Sequence, residues 1–236
     1  MMQQISLVIP TYNRFAFLLE CVQHVLDDSR IGEICISDDC SSPACFAKVM
    51  KWAGKYYPKV SLYRSSINRD CYFNKHCGVE LAEHDWVILF DDDNILPTSY
   101  LNTLFALPKW DENVVYCPEF AEPHFDYTAF SGQLVTRQNA AELMRRKHFS
   151  TTLNTANYFF HKNTWLGVWD GSVDPNTNDS LYQAYRLLDA GKKLYITPGL
   201  RYFHRVHDGS HFKINNRKPG TDAFRQALLN KLQNLK

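Results

Sequence analysis

Three aspartates in a row, Asp91-Asp92-Asp93, follow directly on the apolar run from Trp86 to Phe90. Adjacent carboxylates repel one another, and at the tip of a buried strand water or a cation must neutralise them. Such oxygen donors suit Mg2+ or Mn2+, and Mg2+ is usually held by one or two carboxylates together with substrate phosphates. The alternative is a solvated acidic turn, with Asp93 or Asn94 as an Asx turn capping the next helix. A second acidic pair, Asp38-Asp39, closes another apolar run, Ile31 to Ser37. In dinucleotide-binding folds an acid after the second strand holds the nucleoside; the plainer use here is turn chemistry ahead of Pro43. Further along, His204, Arg205, His207, Ser210 and His211 crowd one polar stretch. Imidazoles and a guanidinium suit gripping a diphosphate or completing a metal shell, with an ordinary polar loop as the alternative. Arg69 and Lys75 are further cations for a phosphate, although Arg69 reads better as a solvated loop charge. Trp165, Trp169 and Tyr158 offer either core packing or a stacking face for a sugar. Asp179 opens a helix, where Asp commonly serves as a cap.

The elements between these residues place them. Ile5 to Pro10 is short, apolar and β-branched, and reads as a buried strand broken by Thr11-Tyr12-Asn13-Arg14. Phe15, Leu18, Leu19, Val22, Val25 and Leu26 then recur at helical spacing. Strands are predicted at Ile31 to Ser37, Val60 to Arg64 and Trp86 to Phe90, with helices to about Tyr57 and over Asn74 to Ala82 between them. This alternation argues a parallel sheet with helices on both faces, which binds ligands at the carboxyl ends of its strands. The polar and acidic runs fall at those ends. The second half alternates less cleanly: strands at Val114 to Cys117, Asn157 to His161 and Leu194 to Thr197, and helices over Asn139 to His148 and from Asn178-Asp179 to a stop at Gly191. A polar loop spans His204 to Phe212. A basic linker, Lys213 to Lys218, and an amphipathic helix, Thr221 to Leu235, complete the chain.

Composition narrows the function. A formal net charge of +1 gives no general electrostatic case for nucleic acid. No run approaches the roughly 20 apolar residues of a membrane span, and the first residues carry no secretory pattern. Seven cysteines, an odd number, then fit reduced thiols in a cytoplasmic compartment. Strand one is followed by no glycine, so neither a dinucleotide fingerprint nor a phosphate-gripping P-loop is present.

Together, IPTYNR after strand one, ISDDCS after strand two and LFDDDN after strand four resemble the family 2 glycosyltransferases of the GT-A fold. A looser match continues through Asn178-Asp179, the helix ending in AGKK, and HRVHDGSHF. The resemblance implies one Rossmann-like α/β domain, with a mostly parallel sheet, over residues 1–212. Residues 213–236 are then a basic linker and a helix packed on it. It implies that Pro10, Thr11, Tyr12, Asn13 and Arg14 line the nucleotide site with Asn68 and Lys75. Asp39 accepts from the base ring N–H, Asp91 and Asp92 face ribose and metal, and Asp93 is the direct ligand of Mn2+ or Mg2+. His207, helped by His204, meets the metal or diphosphate, and Asp179 is the general base. The implied reaction is inverting transfer of a sugar from a nucleotide donor, UDP-linked by family habit, to a glycan or other hydroxyl acceptor. Two residues depart from the pattern: Cys40 stands where the family has glycine, and Asn178 where an acid is common. Rival readings are an Asp-nucleophile phosphatase acting through Asp91, a nucleotidyltransferase, and an inactive nucleotide-sugar-binding scaffold. The basic tail has an alternative use too, docking on a partner or an anionic membrane face.

Overall fold

The computed structural model describes residues 3–153, 156–210 and 219–235. Its first half follows the expected alternation. Strands β1 (Ile5–Thr11), β2 (Ile31–Asp38), β3 (Val60–Arg64) and β4 (Trp86–Leu89) lie parallel in the order β3-β2-β1-β4. Every residue of β1 and β4 is buried, which is why these strands read as unbroken apolar runs. Successive side chains still point to opposite faces. Leu7 and Ile9 enter one core with Leu18, Val49 and Leu101. Val8 enters the other with Val79, Leu181 and Leu188. Helices therefore cover both faces. Helices α1 (Phe15–Val22), α2 (Pro43–Ala53) and α4 (Thr98–Ala106) supply the first core, and α3 (Cys71–Leu81) the second. Helix α4 has no counterpart in the sequence reading.

The second half of the sheet is mixed. Strands β5 (Val114–Glu122), β6 (Phe125–Asp126), β7 (Leu134–Val135), β8 (Tyr158–His161) and β9 (Lys193–Phe203) extend the order through β8, β5, β9 and β7. Strand β8 enters antiparallel between β4 and β5, while β5 and β9 pair in parallel. The remaining helices are α5 (Arg137–Leu143), α6 (Phe149–Thr152), α7 (Lys162–Leu166), α8 (Asp179–Asp189) and α9 (Thr221–Gln233). The helix expected through His148 ends at Leu143, and His148 itself is left-handed, with φ 65°. Gly191 ends α8 with φ +76°, as its position at a helix stop requires. Leu228 and Leu232 bury the inner side of α9 in the core that α8 shares, and Leu235 joins them just past the helix end. The basic stretch Lys213 to Lys218, with His211 and Phe212, lies outside the described residues. Among the described residues no helix is long and apolar enough to cross a membrane, and no cysteine pair forms a disulfide.

Two features of β9 and α3 position the site. Strand β9 runs past the expected Thr197 to Phe203. A register shift between Pro118 and Phe120 lets the β5–β9 pair continue as a twisted ribbon. Phe203 then bridges to Ile95, just beyond the aspartate run. Helix α3 is clamped to the ends of β1 and β2 by Asn74. Its Nδ2 donates to the carbonyls of Ser37 and Thr11, and its Oδ1 accepts from the Ser37 hydroxyl at 2.6 Å. Gly78, one turn on, permits close approach: a Cβ there would stand 2.5 Å from Val8 Cγ1. Gly78→Ala should therefore lower the denaturant midpoint by the equivalent of about 1–3 kcal/mol, as overpacking does. An unchanged midpoint would mean that the α3–β1 spacing is not set at this residue.

Candidate active site

The three aspartates leave β4 in three directions, and each meets a different partner. Asp92, only 2% exposed, turns back toward β1. It accepts from Thr11 Oγ1 at 2.6 Å and from Arg14 Nη1 at 3.2 Å. Burial pushes its carboxyl up to about 7, Arg14 opposing and neighbouring Asp93 adding to the shift. Asp93 accepts from the same guanidinium at 3.0 Å and lies 3.0 Å from His207 Nε2. Arg14 also donates to the carbonyl of Gly209 at 2.6 Å, which ties the histidine loop to the tip. Burial alone would lower the Arg14 guanidinium; Asp92 and Asp93 outweigh it and raise it.

Asp91 turns the other way. Its Oδ1 is 3.1 Å from Lys75 Nζ, and Lys75 donates to Asp179 Oδ2 at 2.8 Å. Lys75 and Asp179 are 7% and 9% exposed and Asp91 is half-buried, so two carboxylates and one ammonium form a largely buried triad. Burial tends to lower the lysine, but Asp179 and Asp91 hold it well above the ordinary ammonium value. The Asp91 carboxyl is raised by burial against the opposing pull of Lys75. The Asp91 amide donates to Asn157 Oδ1 at 2.7 Å, and Asn157 adopts φ 67° just ahead of β8. Asn157 was not among the residues expected at the site; the only sequence signal was a polar residue directly before the apolar Tyr158-Phe159-Phe160. A small cavity beside the triad is lined by Asn157, Tyr158, Trp165 and Ser180. Tyr158 and Trp165 are buried there as core, and the half-buried Trp169 stacks on His76 at 3.9 Å.

The nucleoside end, as the sequence drew it, is formed by the turns after β1 and β2. Pro10 and Thr11 are buried strand residues, whereas Tyr12 is 46% exposed at the mouth. Asn13 has φ 57° and locks the two turns together: its amide donates to Ser41 Oγ, and its Oδ1 accepts from the Ser42 amide. Asp39 is buried beside them, accepts from the Arg69 amide at 2.9 Å, and is raised by that burial. Asn68 is exposed, its Oδ1 accepting from the Asp70 amide, and the Arg69 guanidinium lies over Phe73 at 4.5 Å. Lys75, expected at the nucleotide, is held in the triad instead.

The structure gathers Asp93 and His207 but not the whole expected metal set. Asp91 is engaged by Lys75, and His204 Nδ1 lies 3.0 Å from His124 Nδ1, with burial and His124 lowering it. Among the described residues no group of three or more His, Cys, Asp or Glu is gathered to hold a metal by itself. The donor set fits a hard divalent cation nonetheless. Four carboxylates, Asp91, Asp92, Asp93 and Asp179, face two permanent cations, Arg14 and Lys75, leaving two negative charges in surplus when all are ionised. One carboxylate and one imidazole at the tip leave the remaining ligand positions to phosphate oxygens and water, as Mg2+ and Mn2+ sites commonly do.

A parallel half-sheet ending in two acidic turns, continued by a mixed half, is the GT-A arrangement. TarS of S. aureus, solved with UDP-GlcNAc, superposes with a TM-score of 0.70 at 13% identity, over 99% of this chain and 68% of that one. A mannosyltransferase of Pyrobaculum calidifontis, solved with GDP-Man and Mn2+, gives 0.63 at 15% identity, over 100% of this chain and 70% of that one. Residues 6–165 match the sequence profile of glycosyl transferase family 2, and the chain belongs to that family. It is 26% identical to the abequosyltransferase RfbV of Salmonella typhimurium over 167 residues, 66% of this chain and 50% of that one. Glycosyltransferase GlyG of Streptococcus pneumoniae is 27% identical over 121 residues, 49% of this chain and 38% of that one. The chain thus spans half or less of the length of these curated relatives.

Cys40 carries the family's missing glycine as strain. It sits at φ 63° beside Asp39, a conformation that costs a side chain roughly 1–2 kcal/mol. Cys40→Gly should raise stability by about 1 kcal/mol, after the entropy that glycine loses on folding. Equilibrium denaturation checks this, and a destabilised variant would show that the thiol contributes more than the turn costs.

Proposed function

We propose that this chain transfers a sugar from a nucleotide-sugar donor to a hydroxyl on a glycan or other acceptor, with inversion and with the help of Mn2+ or Mg2+. The observation that carries the reading is the division of the acidic tip. Asp93, with His207 and Arg14, faces one way, and Asp91 with Lys75 and Asp179 the other. One group suits the diphosphate and its cation; the other suits the acceptor. Family membership supports the reading, as do the nucleotide sugars bound by the structural neighbours. A UDP-linked donor is favoured, with Asp39 accepting from the ring N–H of the base.

In this reading Asp93 and His207 would hold the cation, which when bound would supply Lewis-acid stabilisation of the charge on the departing diphosphate. Arg14 keeps Asp93 and Asp92 in place. The acceptor oxygen attacks the anomeric carbon while its proton passes to the Asp179 carboxylate, and the bond to the diphosphate breaks with its electron pair. Asp179 is the first residue of α8 and is held from across the site by Lys75. Placement against the acceptor oxygen then supplies much of its effect. Residues 1–212 carry the transferase and 213–236 form its tail. The odd number of cysteines, seven, supports a reducing, cytoplasmic setting.

A thermal-shift panel of UDP, GDP and dTDP, each with and without Mn2+, tests donor binding, because a ligand of the folded state raises the melting temperature. UDP with Mn2+ should give the largest rise; if no nucleotide shifts the melt under any condition, the donor site is misassigned. Asp179→Asn keeps the shape and removes the proton acceptor. Donor Kd by calorimetry should barely change while kcat falls by roughly 10²–10⁴-fold. A near-normal kcat would reduce Asp179 to a helix-start residue and move attention to Asp174.

A further inference from the structure

Lys75 was expected to meet phosphate, but it is aimed at Asp179. The carboxylate of a first-turn Asp is ordinarily spent on the free amides of its own helix. Here it is not: Asp179 Oδ2 accepts from Lys75 Nζ, and Asn178, at the cap position, makes no side-chain cap and donates to the carbonyl of Thr221. The first turn of α8 is thus fastened across the site to α3. That helix is in turn pinned by Asn74 to the ends of β1 and β2, and held against β1 by the absence of a side chain at Gly78. The Lys75 ammonium also lies against Asp91 at the tip of β4, so its position is fixed from both sides.

We propose that Lys75 is the positioning residue of the base. It holds the Asp179 carboxylate at a fixed place relative to the tip of β4, and acts on transfer through Asp179 rather than by contact with the donor. The inference rests on the reading of Asp179 as general base. A buried carboxylate left without its cation is an uncompensated charge and reorients, and a base displaced by about 1 Å can lose 10²-fold in rate.

The test uses Lys75→Met, which keeps the length and loses the charge, and Lys75→Arg, whose guanidinium can fork between two carboxylates. Each is made alone and with Asp179→Asn, and donor Kd, kcat and the melting curve are recorded. Lys75→Met should lower kcat by about 10²-fold with donor Kd unchanged, and Lys75→Arg should restore most of it. In the Asp179→Asn background Lys75→Met should add little further loss, as residues acting as a unit do. A raised donor Kd with kcat preserved would overturn the inference and make Lys75 a phosphate contact. Independent, multiplying losses would overturn it too, leaving Lys75 a structural cation. An inactive Asp179→Asn beside a fully active Lys75→Met defeats this inference alone; a fully active Asp179→Asn defeats the parent reading.

Discussion

Three consecutive carboxylates cannot share the tip of a buried strand unless each is answered separately. Coulomb repulsion between neighbours and the loss of hydration act together here, and the upward shift of Asp92 to about 7 registers both. The fold answers with cations and donors from distant segments: Thr11 and Arg14 after β1, Lys75 from α3, and His207 from the end of the β5–β9 ribbon. No one of these lies near the aspartates in sequence. The negative charge still left in surplus when all are ionised would favour a divalent cation at the tip, as the proposed function requires.

The architecture follows from that need. A wholly parallel sheet would have placed another right-handed crossover beside β4. Instead β8 enters antiparallel, so Asn157 arrives at the tip as that strand begins and accepts from the Asp91 amide. The register shift in the β5–β9 pair carries β9 past the sheet edge and brings His207 onto Asp93. The pairing of Ile95 with Phe203 and the bond from the Arg205 amide to Asn94 Oδ1 fasten the loop just where the aspartate run ends. Backbone bonds thereby bring together groups whose charge alone would not order them.

Local pattern carried the first half well. β1, β2, β3 and β4 are fully or largely apolar and bounded by turn residues, and each was read within a residue of its observed end. The same held for α8, because Leu181, Ala184 and Leu188 mark one stripe and Gly191 ends it. What escaped was set at long range. Helix α4 is held by Tyr100, Leu101 and Leu104 entering a core made elsewhere. The extension of β9 depends on pairing with β5, which no window of sequence contains. At the site, residue types pointed to Asp39, Asp91 to Asp93, Asp179 and His207. Their connections were not legible: Lys75 pairs with Asp179 across 104 positions, and His204 turns to His124 across 80.

In the proposed function the acidic tip is completed by a cation and a diphosphate bound together, with Asp93 as the protein's carboxylate ligand. Mn2+ binding followed by electron paramagnetic resonance, with and without a nucleoside diphosphate, measures it directly. One Mn2+ per chain should bind far more tightly when the nucleotide is present, and the reciprocal gain in nucleotide affinity should match it. Asp93→Asn should abolish that coupling while leaving the melting curve of the metal-free protein close to wild type. Mn2+ binding that ignores the nucleotide, or that survives Asp93→Asn unchanged, would contradict the account.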